Sequence, residues 1–318
     1  MDSRILSVPT TLPLAMSPSL LLHSLTEMKD LVHGALEAAQ TRTVVEIGSE
    51  SGANTRELLR FVEEREGQLW CVEPEPTIEV ERLDEQEDRL HLVRGRSPEA
   101  LTAIEACDAY IIDGDHNYWT VSRELDHIAQ GSGRLPLVIL HDVCWPGGRR
   151  DMYYAPDALP AGAVHPHSWQ LGSVPDREEA VEGGFRGRGG FAIAVREGGE
   201  RNGVRTAVED FVETRRDLRF ALVPVIFGLG FLYSATAPYA ESLDRLLGPF
   251  ERNPLLERLE RNRIDLYLEL LKQGDVVSAL GLQQGRLLAE YDRSLTAAEA
   301  EAAALRLEVA KLREKVGV

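Results

Sequence analysis

The sequence predicts an α/β protein, a mostly parallel sheet wound with helices on both faces, followed by a helical tail. Three observations predict it. Short apolar runs alternate with helix-period segments from "TVVEIG" to "PLVILHD". Those runs are apolar almost throughout, as in strands buried on both faces, where a half-exposed strand would alternate. From Leu255 the composition then turns to Leu, Glu and Arg at helical spacing.

The segment to about Ser17 holds prolines and little periodicity, which suggests an N-terminal arm or lid. "SLLLHSLTEMKDLVHGALEAAQ" carries Leu21, Leu25, Met28, Val32 and Leu36 on one helical face, closing an N-terminal section of residues 1–40. Alternation follows. "TVVEIG", "QLWCVEP", "LHLVRG", "AYIIDGD" and "PLVILHD" read as strands. "NTRELLRFVEERE", "IEVERLDEQ", "SPEALTAIE" and "WTVSRELDHIAQ" read as the helices between them. Ser97 is placed to cap the third of these, with Pro98 in its first turn. After Asp142 the rhythm breaks, and residues 144–190 form an insertion rich in Pro, Gly, Arg, Tyr and His. "FAIAV" is a candidate added strand, "VRTAVEDFVETRR" a helix, and "RFALVPVI" with "GLGFLYS" a hairpin. The main domain is thus expected over residues 41–248 and the tail over 249–318.

In the tail, residues 288–316 keep strict heptads. Leu288, Leu295, Ala302, Val309 and Val316 occupy one core position, and Tyr291, Ala298, Leu305 and Leu312 the other. That register sets Glu301 against Arg306 and Glu308 against Arg313 of a parallel partner, so a homo-oligomer built on this coiled coil is expected.

Net charge and cysteine usage narrow the function. A formal charge of −17 argues against sequence-independent nucleic-acid binding. Three cysteines without CxxC spacing fit a reducing compartment rather than a disulfide or zinc framework. The start lacks the features of a signal peptide, and "FALVPVIFGLGFLY" is too short and too interrupted to span a membrane. A cytoplasmic protein with neither membrane nor nucleic-acid partner is the expectation.

The chemistry-bearing residues fall at strand ends. In "VVEIGSESGANT" a strand runs into Gly48, Ser49 and Gly52, and a helix opens near Asn54; such a turn lets backbone and a helix N-terminus approach an anionic group. The G-x-G-x-x-G fingerprint is absent, because Glu50 stands at the second glycine, which disfavours a nicotinamide-dependent oxidoreductase. Glu73 ends the second strand, where a carboxylate can accept both hydroxyls of a ribose. Ser97 follows the third strand, where adenine contacts often lie. "IIDGDHNY" and "LHDVCWPGG" end the next two strands, so Asp113 could converge with His141 and Asp142 on a divalent cation or on a substrate hydroxyl.

Taken together, "GSESG", "IIDGDHNY" and "LHDVCWPGG" resemble the class I S-adenosylmethionine-dependent methyltransferases, of the catechol O-methyltransferase-like and small-molecule or sugar O-methyltransferase type. The likeness covers roughly residues 21–234 apart from the insertion. It implies a Rossmann-like, seven-stranded sheet whose last hairpin is reversed. It also implies that Glu46, Gly48, Ser49, Gly52, Asn54, Glu73, Ser97, Asp113, Gly114 and Asp115 serve S-adenosylmethionine, with Gly114 or Asp115 beside the adenine. Asp113 matches the family's first metal ligand and His116 its base. His141 and Asp142 stand where an Asp–Asn pair is usual, so Mg²⁺ or another divalent cation could be held by Asp113, His141 and Asp142, or a metal-free site could use His116 or His141 as base. An imidazole titrates near neutrality, which suits it to that task.

Under this reading a hydroxyl of a small molecule, sugar-bearing or aromatic, is the methyl acceptor. Tyr153, Tyr154 and Trp169 of the insertion could stack on it, Arg149 or Arg150 could pair with an acid on it or with Asp151, and His165 and His167 are further candidates. "EGGFRGRGG" would be the hinge of a lid. The rival expectation is a non-catalytic nucleoside-binding module organised by the coiled coil.

Overall fold

The computed structural model describes residues 21–131 and 133–316. The proposed N-terminal arm therefore lies outside the described residues. The chain divides into two compact units, one of them Ala15–Leu268.

In that unit, α1 (Lys29–Ala38) precedes the alternation β1 (Thr43–Ile47), α2 (Ala53–Glu63), β2 (Gln68–Glu73), α3 (Ile78–Gln86), β3 (Leu90–Arg94), β4 (Ala109–Ile112), α4 (Tyr118–Gln130) and β5 (Leu137–His141). The insertion carries β6 (Met152–Tyr153) and β7 (His167–Ser168), and β8 (Ala192–Ala194) follows just past its end. Then come α5 (Val204–Glu213), β9 (Leu218–Val223), β10 (Leu229–Ser234) and α6 (Ala240–Leu247).

The seven-stranded sheet has the order β3-β2-β1-β4-β5-β10-β9. β1 pairs in parallel with both β2 and β4, so the chain leaves β1 toward one edge and returns on its other side. This reversal opens a crevice at the carboxyl ends of β1 and β4, where such sheets bind ligands. The expected reversed hairpin is confined to one strand. β10 is antiparallel to both β5 and β9, so β9 again runs with the other five.

Strand residues alternate between two cores. Val44, Leu69, Ile111, Ile139 and Phe231 face one layer with α1, α2 and α6, through Leu36, Leu58 and Leu243. Val45, Ile112, Val138, Leu140 and Leu232 face the other, packing on α4 and α5 through Val121, Leu125, Val208 and Phe211. Burial of both faces explains why these strands lack polar alternation.

Two expectations are corrected here. "SPEALTAIE" forms only a short 3₁₀ turn, Glu99–Ala103, with Pro98 at its cap and no capping bond from Ser97. The Ser97 hydroxyl instead donates to Glu124 on α4. "FAIAV" does form a strand, but in a separate sheet of order β6-β8-β7.

The insertion is a built platform, held by two of its charged residues, Arg150 and Asp151. Arg150 is fully buried and donates to the carbonyl oxygens of Ala194 (2.6 Å) and Glu178 (2.8 Å), with Glu197 at 3.5 Å. The Asp151 carboxylate accepts from the backbone N–H of Tyr118 (2.7 Å) and of Gly203 (2.6 Å), fastening the insertion to the starts of α4 and α5. Arg149 turns outward to Glu209 on α5. Neither arginine pairs with Asp151, and the buried Arg150 is not offered to a substrate. Tyr153 is also buried, donating to Asp151 at 2.8 Å, which removes it as a stacking surface.

α7 (Pro254–Val316) is one continuous helix. Its stretch from Glu269 belongs to the other compact unit and exposes Leu288, Tyr291, Leu295, Leu305, Val309 and Leu312, six of the predicted heptad positions.

Candidate active site

The floor of the site is the junction of β1 and β4. Gly48 adopts φ +87°, and a Cβ there would lie 2.3 Å from the carbonyl oxygen of Asp113. Only glycine permits this approach. Gly48 N–H donates to Val72 O (3.0 Å), while Asp113 N–H donates to Ile47 O (2.9 Å). Gly114 is packed on Ile47. Gly52, at φ +76°, leads into α2 in the left-handed conformation.

The acids around this turn have distinct jobs. Glu46 is buried and accepts from Asn54 Nδ2 (2.8 Å) and Thr55 Oγ1 (2.6 Å), so it and Asn54 brace the first turn of α2. Burial pushes its pKa up to about 7. Glu73 accepts from both the N–H (3.0 Å) and the hydroxyl (3.2 Å) of Ser49, a bond that ties the end of β2 to the glycine turn. Ser97 reaches Glu124, which is wholly buried and pushed up to about 8 by that burial. Asp115 is turned into the start of α4, accepting from Asn117 Nδ2 (2.6 Å) and Thr120 Oγ1 (3.2 Å). Burial raises its pKa as well.

Asp113, His116, His141 and Asp142 come together at the ends of β4 and β5. His141 is 4% exposed, and its Nδ1 lies 3.1 Å from Asp113 Oδ1 and 2.9 Å from Asp142 Oδ2. Burial alone would lower its pKa, but the two carboxylates outweigh burial and raise it well above the ordinary histidine value. Its Nε2 is buried without a partner among the described residues. Burial would likewise raise Asp142, yet the imidazoles of His116 and His141 hold its carboxyl low, at about 2. Asp142 itself sits at φ +58°, a left-handed turn that swings its carboxylate back over the strand end.

His116 is held differently. Nδ1 faces Asp142 Oδ2 at 3.5 Å, and Nε2 lies 3.4 Å from the Tyr154 hydroxyl. The two ring nitrogens thus face different partners, a carboxylate and a phenol. His141, by contrast, has its Nδ1 committed to two acids and its other nitrogen buried.

Aromatic rings enclose this centre. Tyr154 packs on His116 (ring centroids 5.8 Å apart) and on Phe191 (6.2 Å), and Phe185 links Phe191 (5.9 Å) to Phe227 (5.4 Å). Phe227 meets His141 at 6.2 Å and His23 at 5.4 Å. Sequence reasoning missed His23, Phe185, Phe191 and Phe227. The two insertion phenylalanines do carry a signal, since they bracket the glycine-rich "RGRGG" taken for a hinge; His23 and Phe227 carry none. Trp169 is 39% exposed, His165 bonds the Arg201 carbonyl (2.8 Å) and His167 packs on Tyr153, so the structure gives none of the three a place at the centre.

Among the described residues, one side-chain set fits a cation. Asp113, His141 and Asp142 each offer a ligand atom, all within 4.8 Å of one another, and two carboxylates with an imidazole suit a divalent ion.

Residues 45–143 match the family model described as "Methyltransferase domain". No curated protein matches the chain. Among solved structures, the chain is similar to the O-methyltransferase TomG from Streptomyces achromogenes, involved in tomaymycin synthesis (17% identity over 67% of this chain and 82% of that one, TM-score 0.42). It is also similar to an O-methyltransferase from Bacillus cereus (16%, 68% and 84%, TM-score 0.43) and to the Podospora anserina methyltransferase PaMTH1 (13%, 68% and 84%, TM-score 0.40). The matched residues 45–143, which carry the switch-point crevice and the glycine turn, are thus similar to a methyltransferase domain.

Proposed function

We propose that the protein transfers a methyl group from S-adenosylmethionine to a hydroxyl of a small molecule, with His116 as general base. The observation that carries this reading is the Asp142–His116 pair, whose Nε2 points away from Asp142 to the Tyr154 hydroxyl at 3.4 Å. Methyl transfer from a sulfonium is an in-line displacement, so the chain must align donor and acceptor and remove the hydroxyl proton. The glycine turn and the Ser49-anchored Glu73 present backbone and carboxylate to the donor's amino-acid and ribose ends. Asp142 keeps the His116 proton on Nδ1, leaving Nε2 to accept one. The aromatic residues reaching from Tyr154 to Phe227 suit a flat or sugar-bearing acceptor.

Asp113, His141 and Asp142 are the residues that would hold a divalent cation, which when bound polarises the acceptor oxygen. Calorimetry is the test. S-adenosylmethionine should bind with one-to-one stoichiometry, and magnesium should bind the wild type but not Asp113→Asn. Absence of heat at millimolar S-adenosylmethionine would overturn the reading, whereas absence of a magnesium response would remove only the cation.

The tail, in this reading, assembles copies of the enzyme. Its single helix leaves the heptad residues exposed, an apolar stripe that a parallel partner would bury. Removing residues 288–318 should reduce the mass seen in light scattering to that of a smaller assembly; an unchanged assembly number would refute the role.

A further inference from the structure

A cavity of about 610 Å³ is lined in part by Phe227, which also packs on His141. Its volume is that of an ordinary small-molecule site. Trp145, Pro224, Phe227 and Ile264 form its apolar wall, which joins the loop after β5, the β9–β10 turn and the start of α7. Four guanidinium groups line it as well: Arg205, Arg252, Arg258 and Arg261. The acids there are fewer, Glu257 and Glu260, and Glu260 is paired with Arg263.

The arginines divide into two kinds. Arg205 is held by Glu209 (2.7 Å), and Arg261 by Asp176 (2.6 Å) and Asp265 (3.1 Å), so their charges are already compensated. The guanidinium groups of Arg252 and Arg258 have no ion-pair partner among the described residues. In a chain with a formal charge of −17, two uncompensated cations over one hollow stand against the general field.

We propose that this cavity is a binding site for a small organic anion, an apolar or aromatic body bearing a carboxylate or phosphate. The body packs against Trp145, Pro224 and Phe227. The charged group meets Arg252 and Arg258, since guanidinium forks match either oxyanion. Phe227 lines this cavity and also packs on His141 (ring centroids 6.2 Å apart), so an occupant there would lie close to the reaction centre.

The test uses the full chain, titrated with 1-naphthoate and 1-naphthyl phosphate, with neutral 1-naphthalenemethanol as comparison, read by calorimetry and tryptophan fluorescence. At least one anion should bind saturably at a single site and at least about ten-fold more tightly than the alcohol, the equivalent of one charge-assisted contact. The tighter anion identifies the head group. The double variant Arg252→Gln/Arg258→Gln should weaken it at least about ten-fold, and Glu257→Gln should tighten it by removing the opposing charge. Both changes are at exposed positions, and thermal melting will show whether the fold is retained. Equal affinity for anion and alcohol, or an unaltered affinity in the double variant, would overturn the proposal. No methyl donor is present, so failure here leaves the methyl-transfer reading standing.

Discussion

His116→Ala is expected to lower turnover by about 10²–10⁴-fold, the usual contribution of a positioned general base, while leaving the affinity for S-adenosylmethionine unchanged. The split follows from placement. His116 sits after the end of β4 with Nδ1 toward Asp142 and Nε2 toward Tyr154, whereas the glycine turn and Glu73 lie at the ends of β1 and β2. Stopped assays with saturating donor give kcat, and calorimetry gives the dissociation constant. Equal losses in both would reassign His116 to the cofactor. Replacing Asp142 with Asn should reproduce much of the loss in kcat, because the amide cannot stabilise the imidazolium that forms as Nε2 takes its proton.

Gly48→Ala should be the most damaging single-atom change at the cofactor turn, costing on the order of 3–5 kcal/mol. The new methyl group meets backbone rather than a flexible side chain: Asp113 O at 2.3 Å and Gly114 Cα at 2.8 Å. Relief requires β1 and β4 to part at the point where they are hydrogen bonded. Gly52→Ala offers the comparison. It has a similar φ, but its methyl group meets the end of a side chain, Val80 Cγ2, at 2.9 Å, so a cost of about 1 kcal/mol is expected. Urea unfolding of both variants decides the matter. A Gly48→Ala midpoint no lower than that of Gly52→Ala would show that β1 and β4 have slack here. The Gly48 variant should also lose measurable S-adenosylmethionine binding, because the turn that presents its amides is displaced.

Much of the fold was legible because the strands are buried on both sides. Runs such as "PLVILHD" cannot be amphipathic helix, and their spacing left room for one helix between each pair. The clustering of Asp113, His116, His141 and Asp142 was legible for a related reason, since each stands at or just past the end of an apolar run, where parallel strands end together. The misreadings share a cause. Ser97 has the composition of a cap, but its hydroxyl found the buried Glu124, a long-range partner with no sequence signal. Arg150 and Asp151 look like surface charge, yet they are interior fasteners, because a short sheet with many loop carbonyls and helix-start amides needs donors and acceptors inside. His23 and Phe227 were invisible because only the tertiary fold brings them to His141.

The lone reversed strand bears on how the protein is made. Because β10 runs against β5, its turn delivers Phe227 to the centre, and the pairing of His141 with Leu229 closes the sheet beside it. These contacts join segments that leave the ribosome far apart in time, and such non-local pairing is slow to form. A growing chain that has just completed β5 already displays Asp113, His116, His141 and Asp142, but without the β10 strand beside them. Their final geometry is thus a late event in folding, and activity in a nascent or truncated chain would report completion of the whole sheet rather than of the strands that bear the reacting groups.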